Sequence, residues 1–339
     1  MKIRDVLNYL EQIAPPEYQE SYDNAGLITG DANTEVSGVI CCLDSTEAVV
    51  DEAIAKGCNL ILAHHPIIFK GLRSLTGNNY VERTIIKAIR ENIAIYAIHT
   101  NLDNVYQHGV NQRFAETLGL LDTQILAPKQ NLQRLTARIK SDEAEKLRAA
   151  LEVRRLDHLH LEWSMQGDWT SIAIHFNYSA AQHSAIVDVL EDVTGRTVPL
   201  SSWNVRESDP LVGAGMIGVL PKALSEKQFL EIVRDRMKTG CIRHTNLLNK
   251  KIHKVALCGG AGGFLLSHAI RAGADAFITA DYKYHEFFDA DGRILLADIG
   301  HFESEQYTID LLQELISRKF SNFAAYCTQV RTNPVQYLV

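Results

Sequence analysis

The chain has 339 residues, more than one small core organises, and that length implies two or three domains. Its 46% apolar and 22% charged residues are those of an ordinary soluble globular protein, and no apolar stretch is long enough to span a bilayer. A formal net charge of -7 excludes a general binder of nucleic acid or of anionic membranes, which would be basic.

The opening stretch MKIRDVLNYLEQIAP carries charge throughout, so it reads as an amphipathic helix and not as a signal peptide. A buried strand is predicted at 36–44, then a helix over 45–56 opened by Ser45 or Thr46 and closed by Gly57. CNLILAHH (58–65) is the next strand, YVERTIIKAIREN (80–92) has helical spacing, IAIYAIHT (93–100) is a third strand, and a helix over 110–119 closes at Gly119. Strands alternating with helices predict a mostly parallel sheet covered on both faces. The cysteines at 41, 42, 58, 241, 258 and 327 form no C-x-x-C and read as buried free thiols of a reducing cytoplasm.

The middle of the chain changes character. Strands are predicted at 133–140, 169–178 and 195–202, with helices capped by Ser141 and Ser179 between them, which is a unit of small ferredoxin-like size. WNVRESDPLVG (203–213) reads as a linker. The last third returns to the α/β pattern. KVALCGGAGG is a strand entering a glycine turn, a helix over 263–272 ends at Gly273, and ADAFITADYKYHEF is a strand with a polar end. RILLADIGHFESE then runs into the helix SEQYTIDLLQELISRKF, and FAAYCTQ closes the set. A shift of 216 residues lays Val39–Cys42 over Val255–Cys258, Ala53–Gly57 over Ala269–Gly273, and LILAH over FITA. A shift of 202 lays His99-x-x-x-Asp103 over His301-x-x-x-Glu305. Matches in the same order imply a pseudo-repeat of two α/β lobes interrupted by the middle unit.

Three strand ends hold residues able to bind metal: His64 with His65, His99 with Asp103, and His301 with Glu305. Ligands of open α/β sheets bind beyond the carboxyl ends of the strands. Residues four apart in a helical turn share a face, so each His and carboxylate pair can grip one ion or two neighbouring ions. Imidazole with carboxylate suits zinc, iron, manganese or nickel. Taken singly, each pair also suits a loop start or a helix cap; the metal reading rests on all three together. CGGAGG (258–263) suits either an anion cradle at a helix start or a tight strand–helix turn. Lys283 and His285 in ADYKYHEF offer a phosphate contact and a proton donor, and equally suit a solvated helix start.

AHHPIIF, IHTNLDN, GGAGG, DYKYHEF and GHFESE, with YDNAGL (22–27) and TNPVQY (332–337), resemble the Ngg-interacting-factor-three-like family, also labelled GTP cyclohydrolase 1 type 2 homologues. Tyr22 stands where that family usually has Trp. The resemblance implies two similar α/β lobes, at 1–128 and 208–339, around a metal cleft, with a PII-like ferredoxin-type domain inserted at 129–207. It implies two divalent ions per subunit, zinc or iron first and manganese or nickel next, on His64, His65, Asp103, His301 and Glu305, with Glu305 as the bridge and His99 beside them. It implies a homo-oligomer, a hexameric ring. The activity it implies is a cytoplasmic hydrolase opening the imidazole ring of GTP with release of formate. In that reading His99 or His285 delivers a proton, and Lys283 with the amides of Gly259, Gly260 and Gly262 holds the triphosphate. The other readings are a metal-dependent scaffold or regulator without catalysis, and a two-metal phosphoesterase.

Overall fold

Apolar runs bounded by glycine turns become buried strands here, and the polar residues that follow them gather at the strand ends. The computed structural model describes all residues except 130–131, 155, 157–159, 178–179, 205–209 and 339. The cap read at Ser179 and residues 205–209 of the linker read at 203–213 fall outside the described residues. The chain divides into two compact units, one made of residues 1–127 and 211–339 and the other of 128–210.

The first segment of the larger unit contains α1 (Ile3–Ile13), β1 (Gly26–Thr29), β2 (Gly38–Cys42), α2 (Glu47–Ala55), β3 (Leu60–Ala63), α3 (Tyr80–Arg90), β4 (Ala94–Ala97), the single turn α4 (Thr100–Asp103), α5 (Val110–Leu118) and β5 (Leu121–Pro128). The smaller unit contains β6 (Leu132–Lys140), α6 (Ala144–Val153), β7 (His160–Gln166), β8 (Trp169–Asn177), α7 (Ala180–Thr194) and β9 (Leu200–Asn204). The larger unit resumes with β10 (Gly213–Ser225), α8 (Glu226–Arg236), β11 (Arg243–His244), β12 (Lys251–Leu257), α9 (Leu266–Arg271), β13 (Ala276–Thr279), β14 (Leu295–Asp298), the short α10 (His301–Glu305), α11 (Thr308–Lys319) and β15 (Ala324–Cys327).

Two sheets build the larger unit. One has the order β1-β4-β3-β2-β15 and the other β11-β14-β13-β12-β10-β5. In each, three parallel strands form the centre: β2, β3 and β4 in one, β12, β13 and β14 in the other. In each, the third of these carries an antiparallel edge strand, β1 on β4 and β11 on β14. Strand alternation splits the first sheet's side chains between two cores. Val39, Cys41, Leu60 and Leu62 face α1 and α11, while Ile40, Cys42, Ile61 and Ala63 face α2 and α3. Burial on both faces explains why these strands read as continuous apolar runs.

The two sheets exchange elements. α5 leaves the first sheet after β4, and its Phe114, Ala115 and Leu118 pack in the core of the second. α11 leaves the second sheet after β14, and its Leu311, Leu312, Leu315 and Ile316 pack in the core of the first. β5 and β15 are likewise edge strands of the sheet opposite to their own segment. The turns α4 and α10, where the two crossings begin, therefore lie side by side.

The smaller unit runs β-α-β-β-α-β with sheet order β7-β8-β6-β9, which is the split βαβ arrangement. β7 was not read from the sequence, and neither were β1, β5, β10, α8 and β11. Ser141 does not cap α6: its hydroxyl donates to the carbonyl of Gly167, and a 3-10 turn over Ser141–Glu143 precedes the helix. The strand read through 274–287 stops at Thr279, because Asp281 takes a left-handed φ of 60° and a 3-10 helix covers Tyr284–Ala290. Cys41, Cys42, Cys58 and Cys258 are buried free thiols, whereas Cys241 is exposed. No helix among the described residues is long and apolar enough to cross a membrane.

Candidate metal centre

The carboxyl ends of β3, β4 and β14 deliver four imidazoles and two carboxylates to one cleft. His64 and His65 follow β3 directly, and His99 is the residue before α4. Gly300 turns the chain after β14 at φ 92°, and a Cβ there would meet the Glu303 carboxylate at 2.3 Å, so only glycine fits. α10 then sets His301 and Glu305 four residues apart on one face, with Nε2 and Oε2 3.1 Å apart.

Each histidine is held by its Nδ1, which leaves Nε2 for the cleft. His64 donates from Nδ1 to the Ile98 carbonyl at 2.8 Å. His65 donates to Asp44 at 2.8 Å, His99 to Asp23 at 2.8 Å, and His301 to Asp281 at 2.7 Å. An anchored Nδ1–H is how metal-binding imidazoles are oriented. Glu305 lies between the histidines. Its Oε2 is 2.9 Å from His65 Nε2, and its Oε1 is 3.9 Å from His64 Nε2. Asp103 Oδ1 is 3.5 Å from His64 Nε2. Three overlapping groups of donor atoms result, each within 4.8 Å: His64 with Asp103 and Glu305, His65 with His301 and Glu305, and His64 with His65 and His99.

The titratable groups of the cleft shift one another. Burial pushes His64 down to about 3, so its imidazole is neutral with a lone pair on Nε2. Burial works against the charge on His65 as well, but Asp44 and Glu305 outweigh it and raise that group to about 9. Glu305 raises His301 to about 11. Burial works to raise Glu305, yet His301 and His65 hold its carboxyl well below the usual range. Asp103 is pushed well up by burial and by the facing Glu305.

The arrangement fits a metal on one direct observation. His64 Nε2 and Asp103 Oδ1 are buried and have no hydrogen-bond partner. Unpaired buried polar atoms are costly, and a shared cation satisfies both at once. The donor set of imidazole and carboxylate is the one that zinc, iron, manganese and nickel accept.

The Duf34/NIF3 (NGG1p interacting factor 3) family profile matches residues 1–334. The chain belongs to that family. It is 30% identical over 369 aligned positions to a Staphylococcus aureus (strain MSSA476) protein named GTP cyclohydrolase 1 type 2 homolog, with all of both chains covered. A Bacillus subtilis (strain 168) protein of the same name is 27% identical over 99% of this chain and 98% of that one. Among solved structures, Staphylococcus aureus protein SA1388 superposes with a TM-score of 0.80 at 30% identity, over 100% of this chain and 99% of that one. A Bacillus cereus protein related to NIF3 superposes with a TM-score of 0.77 at 28% identity, over the same shares.

Of the residues singled out in the sequence, the fold brings together His64, His65, His99, Asp103, His301 and Glu305. Lys283 and His285 stand apart. His285 is exposed with its ring against Tyr284, and Lys283 is exposed beside Glu286. Lys283 lines a neighbouring cavity of about 810 Å³, while the metal cleft, about 360 Å³, includes neither residue. The glycines need a correction. The amides of Gly259, Gly260 and Gly262 already donate to Asn111, Ser304 and Thr279, so they do not cradle an anion. Gly260 makes room instead: at φ 61°, a Cβ would stand 2.5 Å from Glu305 Oε1. The anchors Asp23 and Asp44 were missed. Asp23 lies 76 residues and Asp44 21 residues from the histidine each holds, and the signals available were that Asp23 falls in YDNAGL and that Asp44 ends the strand read at 36–44.

Proposed function

We propose that this protein is a cytoplasmic, dinuclear-metal hydrolase of the GTP cyclohydrolase type, opening the imidazole ring of a purine nucleotide with release of formate. One observation carries the reading. The two oxygens of Glu305 face two different ligand groups, His64 with Asp103 and His65 with His301. A carboxylate so placed would hold two ions. Divalent metals bound there supply Lewis acidity and bring the pKa of a water to about 7 in the case of zinc.

The chain's own residues supply the rest. Tyr22 and Phe69, with rings 6.4 Å apart, line the cleft and present an apolar wall for a planar base. The His99 ring stands against Phe69 at 6.2 Å, with Nδ1 tied to Asp23. His99 Nε2 is thereby placed to give a proton to the purine nitrogen that gains electrons when water attacks C8. Lys283, Arg271 and Arg293 line the neighbouring cavity, which shares Ala261 and Phe264 with the metal cleft and receives the triphosphate in this reading. Residues 129–207 form a PII-like insertion, flanked by lobes at 1–128 and 208–339, and the protein assembles as a hexameric ring.

A second reading has a specific observation in its favour. Among the described residues, no lysine or arginine lines the metal cleft itself, and Glu20, Asp103 and Glu305 do. With no protein cation there, the charge of a substrate would be met by bound ions alone and by no side chain specific to it, which favours a metal-binding scaffold or regulator. A formate assay on metal-loaded protein with GTP separates the two. Hydrolase action predicts formate that is lost in His99→Ala, by on the order of 100-fold, with metal content unchanged. Metal-loaded wild type that releases no formate at any pH excludes the cyclohydrolase.

A further inference from the structure

The chain's last stretch, 328–337, lies against the metal centre on a side away from the aromatic wall. It borders a cavity of about 480 Å³ that is also lined by Asp44, His65 and His301. Side chains tie this stretch to both sheets. Thr328 donates to Glu52 of α2, and Thr332 donates to Asp44 Oδ2 at 2.6 Å, both in the first sheet's half. The buried Asn333 donates to Glu303 Oε1 at 3.0 Å, and Glu303 belongs to α10.

The Thr332 contact matters because of what the other oxygen of Asp44 does. Asp44 Oδ1 accepts from His65 Nδ1 at 2.8 Å. A carboxylate held at one oxygen alone is free to swing, and one held at both is fixed in plane. Thr332 therefore sets the orientation of His65 through Asp44 without touching a ligand itself. His64 has no such dependence, since its Nδ1 is held by the backbone carbonyl of Ile98 next to β4.

Building on the two-ion reading above, we infer that residues 328–337 are a positioning strap. Thr332 acts through Asp44 on His65, so that the ion held by His65, His301 and Glu305 depends on Thr332 and the ion held by His64, Asp103 and Glu305 does not. Orienting partners of metal ligands are typically worth about 10–100-fold in affinity.

The test is zinc titration of the metal-stripped full chain against a competing chelator, with thermal melting to confirm folding. Wild type should take up two equivalents. Thr332→Val should weaken one equivalent by about 10–100-fold and leave the other unchanged, and Thr332→Ser should restore it. Asp44→Asn, made at the other end of the same link, should weaken the same equivalent, and adding Thr332→Val to it should cost nothing more. If Thr332→Val does not fold, Asp44→Asn decides alone, and a loss confined to the other equivalent overturns the inference. Equal loss at both equivalents, no loss at either, or a loss that serine does not restore also overturns it. Wild type that takes up no zinc overturns the metal reading and the strap with it.

Discussion

The strand triplets β2–β3–β4 and β12–β13–β14 have one wiring and different chemistry. Their interiors match in register: Cys41 pairs with Leu62 in one, and Leu257 pairs with Ile278 in the other, which is the same pairing displaced by 216 residues. Their ends do not match. The same displacement lays His64 and His65 over Ala280 and Asp281, and Asp44 over Gly260. Where the first half places two candidate ligands, the second places a small residue and the aspartate that orients His301. Where the first half places the aspartate that orients His65, the second has a glycine, and Glu305 occupies the space. α4 and α10 differ in a similar way. Asp103 is one methylene shorter than Glu305 and belongs to one ligand group, while Glu305 belongs to two. The H-x-x-x-D/E echo is also offset from the strands, since His99 precedes α4 whereas His301 is the first residue of α10. A repeated fold thus fixes where strand ends lie, and single side chains at those ends assign the roles.

That comparison can be broken by substitution. Glu305→Gln should have the largest effect, lowering metal content from about two ions per chain to less than one, because removing a bridging charge leaves two cations to repel each other. Elemental analysis after mild purification measures it, and full occupancy would refute the bridge. Asp103→Asn should remove one ion only, leaving about one on His65, His301 and Glu305; loss of both would show that the two carboxylates are equivalent after all. Gly260→Ala should lower stability by about 1–2 kcal/mol from the left-handed backbone alone, with metal affinity lost besides through the clash with Glu305. Thermal melts and zinc titration read the two parts. Asp281→Ala should weaken the His301 ion by about 10–100-fold and spare the other. The smallest effect is expected from replacing 130–206 by a short Gly/Ser joiner. If the two halves are sufficient to build the centre, metal content stays at about two ions per chain, and loss of metal in a folded product would give the insertion a part in it.

The parallel triplets were legible because strands buried on both faces are written as unbroken apolar runs that stop at polar residues or glycine. The candidate ligands were legible too: a His pair at a strand end and His and carboxylate spaced by four state their geometry locally. Elements without a local signature were not. β10 carries Pro221 and three glycines and does not read as a strand, although it supplies Met216, Ile217 and Leu220 to two cores. β7 does carry a local signature, His160, Glu162, Ser164 and Gln166 alternating with Leu161, Trp163 and Met165, and it was overlooked.

What the sequence determined by itself was therefore everything carried by neighbours along the chain: the alternation of strands and helices, the echo of one half in the other, and six residues of types able to bind a metal. What only the tertiary structure decided was everything carried by residues distant in sequence. The pairing of His99 with Asp23 spans 76 residues, and that of His65 with Glu305 spans 240. The fold also separated the glycines, whose amides are spent on side chains, from an anion role, and set His285 on the exposed surface. The physical reason is the exchange of α5 and α11 between the two sheets. It brings the ends of β3, β4 and β14 into one cleft, and no periodicity along a chain encodes which strand ends will meet.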